Sequence, residues 1–473
     1  MTVPFEYQRE DVKTIERFNG RTLLAGEPGT GKTFTTLLYA SQNAISRIIV
    51  VCPASVKYHW ETEARTHCNM RSQILHGKKV VNELLLIEDT PTITIVNYDI
   101  LTAWLSYLQS IKPQLIVVDE CHYVADRSTK RTKALQSLCL DVPHIIALSG
   151  TPLVNRPAEL WPILNIIRPT LFPSFFSFAH TYCGAVKKHY GWEYKGATRT
   201  KELNQKLDKN LMIRRRKADV LKDLPTKRRI LFPVEMSNPR EYQKVKNDFL
   251  SWYRENKGSV EKVFRSAMVV QLGYLRRVAA KSKMDSVVEW IENWLREDEG
   301  KLIVFAYHKS VIKRLRTHFI GRSVKIDGST SHDKRRLAVK KFQRSKEVRL
   351  FIGQMRAAGV GLDGLQVASS DIAFIEFDWT PGVHLQCEGR AERIGQTKPI
   401  TAYYLPAKGT VEEKIVEIVQ RKQEVLNAVL DGGEGEDLNI YDLLCQELER
   451  ESPTRKSFKR KRSCSRSKSI ATS

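Results

Sequence analysis

Two series of short apolar runs, each run closed by a polar or glycine turn and followed by a helical pattern, restrict what this chain can fold into. The first series is Thr22–Ala25, Ile48–Val51, Ile93–Val96, Leu115–Val118 and Ile145–Leu148. The second is Leu302–Phe305, Val324–Ile326, Leu350–Ile352, Ile372–Ile375 and Ile400–Tyr404. Runs of this kind read as parallel strands in βα units. The expectation is therefore an α/β protein with two doubly wound lobes and its chemistry at the C-terminal ends of the strands. Residues 155 to 290 differ: they are helical in pattern, aromatic and basic, and interrupted by Pro169, Pro173, Pro225 and Pro233. They read as helical insertions plus a linker between the lobes.

A chain of 473 residues exceeds what one hydrophobic core organises, which agrees with more than one lobe. An apolar fraction of 42% supplies packed cores, yet no run of about 18 apolar residues suggests a membrane span. Met1 to Phe5 carries neither the charged nor the apolar region of a signal peptide. The expectation is a soluble intracellular protein, nuclear in a eukaryote and cytoplasmic in a bacterium or bacterial virus. The eight cysteines form no C-x-x-C pair, so neither a zinc knuckle nor a disulfide framework is indicated.

The net charge of +24 suits a polyanion such as nucleic acid. Residues 454 to 473 contribute eight basic side chains and no acid, in a Ser-rich stretch that cannot bury a core and reads as a disordered tail. The acidic segment 431 to 451 nearly cancels that tail, so the excess belongs to the folded body.

Gly26-Glu27-Pro28-Gly29-Thr30-Gly31-Lys32-Thr33 matches a phosphate loop directly after a predicted strand. Its glycines let backbone N–H groups wrap phosphate oxygens, Lys32 neutralises them, and Thr33 offers a hydroxyl to Mg²⁺. Asp119-Glu120-Cys121-His122 places two carboxylates at the end of a later strand. Asp119 would hold Mg²⁺ and Glu120 would polarise the attacking water. Taken alone, each element has a bland alternative, a glycine turn or a solvated helix start; their order along the chain favours ATP chemistry with Mg²⁺. Gln386, Arg390, Arg393 and Gln396 lie far downstream, where paired guanidinium groups could stabilise a transferring phosphoryl group.

With Ser149-Gly150-Thr151-Pro152, Ile326 to Thr330 and Gln386 to Gln396 added, the chain resembles the Swi/Snf-type ATPases of helicase superfamily two over residues 3 to 430. Cys52 to Trp60 and Trp379 to Gly382 resemble its annealing-helicase (HARP-like) branch. The resemblance implies two tandem RecA-like lobes: residues 1–228 with a helical protrusion from about 155, residues 229–430, and the segment 431–473 with its acidic stretch and basic tail. It also implies that Tyr7 and Gln8 read adenine and that Arg390 and Arg393 reach the γ-phosphate. Gly26, Glu27, Gly29, Thr30, Gly31, Lys32, Thr33, Gln386 and Gln396 would line the nucleotide. His122, Ser149, Gly150, Thr151, Gly361 and Asp363 would couple hydrolysis to lobe movement. The sequence departs from the family pattern at Gly26, Gly389 and Glu392, and at Asp363, where Asn or Thr is commoner.

The implied partner is DNA, gripped by its backbone with little sequence preference, and no membrane. Ser55, Lys57, Asn97, Lys130, Arg131, Ser329, Thr330 and Arg356 lie in or beside loops that contact the backbone in related motors. Lys130, Arg131 and Lys133 fit a solvated helix face equally well. Arg214 to Lys217 resembles the linker and could brace the lobes instead. Three readings follow: a translocase that remodels or reanneals duplex DNA, a strand-separating helicase, and a DNA-binding scaffold with a silent ATPase.

Overall fold

The computed structural model describes residues 3–79, 92–152, 156–188, 191–194, 196–256, 261–359, 361–431 and 440–450. The basic tail read at 454 to 473 lies outside these described residues. The first lobe contains β1 (Arg21–Leu24), β2 (Ile48–Cys52), β3 (Ser72–Ile74), β4 (Ile93–Asn97), β5 (Leu115–Asp119) and β6 (His144–Leu148). A small antiparallel hairpin follows, β7 (Val186–Lys188) and β8 (Gly191–Glu193), and then β9 (Met212–Ile213). The sheet order is β3-β4-β2-β5-β6-β1-β9, with every pairing parallel.

The second lobe contains β10 (Lys227–Leu231), β11 (Leu302–Ala306), β12 (Ser323–Ile326), β13 (Leu350–Gln354), β14 (Asp371–Phe374) and β15 (Ile400–Tyr404). These form a second all-parallel sheet in the order β10-β15-β14-β11-β13-β12. All ten predicted runs are strands of these two sheets. The α/β expectation of two doubly wound parallel-sheet lobes therefore holds.

The continuous apolar runs follow from burial on both faces. Side chains alternate across a strand, so Leu23, Ile49, Val51, Ile116 and Val118 enter one core layer, while Leu24, Ile48, Val50, Val117 and Ile146 enter the opposite one. The second lobe repeats the arrangement, with Ile303, Phe305, Phe351 and Phe374 on one side and Leu302, Val304, Ile352 and Ala373 on the other.

Two connections join the lobes. The chain leaves β9 through Arg214–Lys217, whose backbone and side chains run beside the phosphate loop: the Arg214 guanidinium donates to the Ala25 carbonyl at 2.9 Å, and the Glu27 amide donates to the Arg215 carbonyl at 2.9 Å. The helix Val411–Leu430 forms the other connection. Val411, Ile415 and Val416 lie in the second lobe's core, whereas Leu426 and Leu430 enter the first lobe's core. Asn204 donates to the Leu430 carbonyl at 2.6 Å, and Arg214 pairs with Asp431 at 3.0 Å. Part of the acidic segment folds as the helix Ile440–Arg450, which buries Leu444, Cys445 and Leu448 in the second core.

A buried ion pair ties the second sheet to its helices. Lys283 and Glu412 are both fully buried, and the ammonium donates to Glu412 at 2.5 Å and to the Leu405 carbonyl at 2.6 Å. Removing one partner strands the other charge away from water, so Lys283→Met is expected to destabilise folding by about 3–5 kcal/mol. Urea denaturation would read this directly. A loss under about 1 kcal/mol would mean that the Glu412 carboxyl finds a compensating donor or is protonated at little cost.

Candidate active site at the lobe interface

The phosphate loop connects β1 to the helix Lys32–Gln42, so the N-terminus of that helix faces the interface. Gly29 and Gly31 adopt φ of 93° and 72°, a region that glycine enters without strain. A Cβ on Gly31 would come within 2.5 Å of the Gln8 amide, which abuts the loop, and the Tyr7 hydroxyl donates to the Thr30 carbonyl at 3.0 Å. Lys32 folds back to the carbonyls of Gly26 and Glu27 at 2.7 and 3.0 Å. Burial pushes its pKa down to about 8, against the pull of Glu120 and Asp119.

β5 ends on Asp119. Its carboxylate accepts from the Trp60 indole at 2.8 Å and the Glu120 amide at 2.9 Å, and its carbonyl accepts from the Tyr98 hydroxyl at 2.6 Å. Burial and the charge of Glu120 push the Asp119 carboxyl up. Burial also works to raise Glu120, but the nearby His122, Lys32 and Arg390 outweigh it and hold Glu120 below the ordinary range. The Glu120 backbone sits at φ 50°, ψ 56°, a left-handed conformation uncommon for a residue with a side chain. His122 Nδ1 lies 3.3 Å from the Glu120 carboxylate and 3.4 Å from the Ser149 hydroxyl, which in turn accepts from the Thr151 amide at 3.2 Å. A Cβ on Gly150 would meet the Pro28 ring at 2.8 Å. His122 and the segment 149–151 thus link the carboxylates to the phosphate loop.

The second lobe closes the same cavity, about 300 Å³ in volume, whose walls include Lys32, Thr33, Asp119 and Glu120 from one lobe and Arg390 and Arg393 from the other. Gln386 approaches the Glu120 carboxylate at 3.4 Å. Arg390 donates to the carbonyls of Gly359 and Leu362, and Arg393 pairs with Asp363. Asp363 also meets His59 of the first lobe at 2.8 Å and lies 3.7 Å from Arg390. Gly361, at φ 72°, sits against the first lobe, where a Cβ would come within 2.5 Å of the Ser55 carbonyl.

Two expected nucleotide residues turn their side chains elsewhere. Gln396 turns its amide to the carbonyls of Gln366 and Ser369 at 3.1 and 3.0 Å and accepts from the amides of Thr397 and Lys398, so it braces a loop rather than lining the cavity. The Glu27 carboxylate accepts the Lys217 amide at 2.9 Å, toward the linker. The Gly26 carbonyl is a Lys32 acceptor, and a Cβ there would strike the Thr30 hydroxyl at 2.7 Å. Glu392, one of the departures, takes Lys217 at 3.0 Å and Lys227 at 2.7 Å and so pins the linker to the second lobe.

A second interlobe cavity, about 620 Å³, gathers Ser55, Lys57, Thr330 and Arg356 around a Tyr58–His332 stack with ring centroids 3.9 Å apart. Not all candidate backbone contacts are free to serve. Lys57 is buried and donates to the Leu75 carbonyl at 2.8 Å, and Asn97 is buried 3.5 Å from Asp99. Arg356 forks onto Asp378 but keeps most of its surface exposed. The hydroxyls of Ser329 and Thr330 turn to Asp327, while Lys130 is exposed and Arg131 half-buried at the start of the helix Lys130–Leu138. Trp60, Tyr98, His59 and Lys217 were not expected at the site. Trp60 lies in the tract quoted for the resemblance, but a tryptophan there reads only as packing.

The SNF2-related domain family matches residues 7–284, and the helicase conserved C-terminal domain matches residues 282–395. The chain is 34% identical over 438 residues to the SWI/SNF-related matrix-associated actin-dependent regulator of chromatin subfamily A-like protein 1 homolog of Caenorhabditis elegans, covering 90% of this chain and 61% of that protein. It is 32% identical over 430 residues to the Xenopus tropicalis counterpart (89% and 44%) and 30% identical over 452 residues to the DNA annealing helicase and endonuclease ZRANB3 of Homo sapiens (90% and 40%). It thus spans less than two thirds of each relative's length, from 40% to 61%. Among solved structures, the Sulfolobus solfataricus SWI2/SNF2 ATPase core in complex with dsDNA is 22% identical and covers 95% of this chain and 97% of that one, with a TM-score of 0.44.

Proposed function

The chain belongs to the SNF2-related family, and from that membership and the shared cavity we propose that it is a DNA-dependent ATPase that moves on duplex or branched DNA, remodelling or reannealing it. In this reading the boundary expected between residues 1–228, the ATP-binding lobe, and 229–430, its partner lobe, falls two residues earlier, before β10 begins at Lys227. The observation that carries it is one cavity walled by Lys32, Asp119 and Glu120 from the first lobe and by Arg390 and Arg393 from the second.

The donor set fits a magnesium nucleotide. A helix N-terminus and the half-buried Lys32 ammonium suit phosphate oxygens, and Thr33 and Asp119 offer the hard oxygen ligands that Mg²⁺ requires. Bound ATP would supply the transferable phosphoryl group, and Mg²⁺ would neutralise its charge. Glu120, held ionised below its usual range, orients the attacking water, and His122 holds its carboxylate at 3.3 Å. Arg390 and Arg393 stabilise the charge that develops on the phosphoryl oxygens. Because these arginines belong to the other lobe, hydrolysis requires closure and product release permits opening.

A motor that grips both strands by their phosphates exerts force along the duplex and leaves the base pairs intact. The protein is expected to displace a triplex-forming third strand with ATP while leaving a blunt duplex paired under the same conditions. Release of a blunt-duplex strand without activity on the triplex would replace the translocase with a strand-separating helicase.

A further inference from the structure

We propose that an exposed aromatic surface on the first lobe's protrusion holds the unpaired nucleotides of branched DNA by stacking on their bases. The inference rests on the DNA reading above and names the part of the substrate that this surface takes. The hairpin β7–β8 stands outside both sheets, with Lys187 opposite Trp192. It packs beside the helix Phe175–Tyr182, whose first turn is capped by Ser174.

A ladder of rings runs from the core to the surface. Phe175 meets Trp161 edge-on at 5.5 Å and Tyr194 at 5.2 Å, Tyr194 meets Phe176 and His180 at 6.4 Å each, and His180 meets Trp192 at 4.4 Å. The inner rings anchor the ladder. The outer ones stay open, with Phe176 54% and Trp192 46% exposed. Large rings left in water at the end of a rigid, packed ladder suit a flat apolar ligand better than a core.

The charge around the ladder specifies that ligand. Arg127 lies over the Phe175 and Phe176 rings at 4.1 and 5.7 Å, and Lys187 is exposed on the hairpin. Arg127 belongs to the loop that follows Asp119 and Glu120 and leads into Lys130 and Arg131. Tyr123, earlier in the same loop, lines the second interlobe cavity together with Arg356. One loop, carrying Arg127 and running on into Lys130 and Arg131, therefore leads from the lobe interface to the aromatic ladder. Cations paired with exposed rings form a stacking platform for a single strand: the bases lie on the rings and the phosphates on the guanidinium and ammonium groups. A duplex hides its bases, so this surface takes only nucleotides that have left the helix, without regard to their sequence.

The test compares fluorescently labelled oligothymidylate of about 16 nucleotides with an abasic strand of equal length and equal phosphate count. The wild-type protein is expected to bind oligothymidylate about fivefold more tightly or better, the minimum for one base stacked on an aromatic ring. Phe176→Ala with Trp192→Ala should abolish that preference and leave the abasic affinity unchanged, whereas Phe176→Tyr with Trp192→Phe should retain it. Equal wild-type affinity for the two strands would overturn the proposal and mark the surface as a protein contact. So would a double-alanine protein that keeps the preference or loses abasic binding as well. Absence of duplex-stimulated ATP hydrolysis in the wild type would sink the motor reading separately, since the strand comparison needs no hydrolysis.

Discussion

Arg393→Ala is expected to lower DNA-stimulated ATP hydrolysis by about 10³-fold while leaving ATP affinity near normal. The guanidinium enters the cavity from the second lobe, where Arg393 packs against Gly29 of the phosphate loop; the loop's own amides and Lys32 would hold the phosphates in the ground state, so loss of Arg393 removes charge stabilisation mainly from the transition state. In the structure, however, Arg393 is paired with Asp363, and Arg390 lies 3.7 Å from the same carboxylate. A phosphate group must therefore compete with Asp363 for these arginines. Asp363→Asn keeps the size of the side chain and removes the competing charge, so it should raise hydrolysis in the absence of DNA. Steady-state rates with and without duplex, alongside nucleotide titrations, measure both effects. Near-normal turnover in both the Arg390→Ala and Arg393→Ala proteins would mean that the two lobes do not serve one nucleotide.

Glu120→Gln carries the second large effect, a fall in turnover of about 10²–10⁴-fold with ATP binding preserved. The amide keeps the shape of the side chain and its 3.4 Å approach to Gln386 remains sterically possible, but it cannot draw a proton from water. Asp119, Lys32 and Thr33 are untouched, so phosphate and metal ligands persist. Turnover above roughly a tenth of the wild-type rate would remove Glu120 from the role of base, because a positioned base contributes at least about 10².

The strands were legible because burial on both faces writes them as unbroken apolar runs, and the phosphate loop and the Asp-Glu pair because local spacing encodes them. What escaped lacks a local signal. β9 is two residues long, β3 is three half-buried residues, and β10 reads Lys-Arg-Arg-Ile-Leu at a sheet edge, where no apolar period develops. The β7–β8 hairpin joins neither sheet, and the helix Ile440–Arg450 sits in a segment whose acidic charge masks the apolar stripe of Leu444, Cys445 and Leu448. The support for Asp119 comes from Trp60, 59 residues away, and the partner of Arg393 is Asp363. Such pairings belong to tertiary structure, and a residue type alone does not announce them. Gln396 lay within a recognisable motif, yet its amide is consumed by carbonyls of its own lobe.

Both connections between the lobes converge on Arg214, which bonds the Ala25 carbonyl beside the phosphate loop and pairs with Asp431 just beyond the helix Val411–Leu430. The molecule is thus seamed along one edge, with the fuel close to the seam. For the proposed motor, rotation there would act as a lever, a displacement of atomic size at the phosphates growing in proportion to distance from the pivot. The length of each stroke in that motor would then be a matter of dimensions, set by how far from Arg214 the DNA is gripped rather than by how much free energy the nucleotide releases.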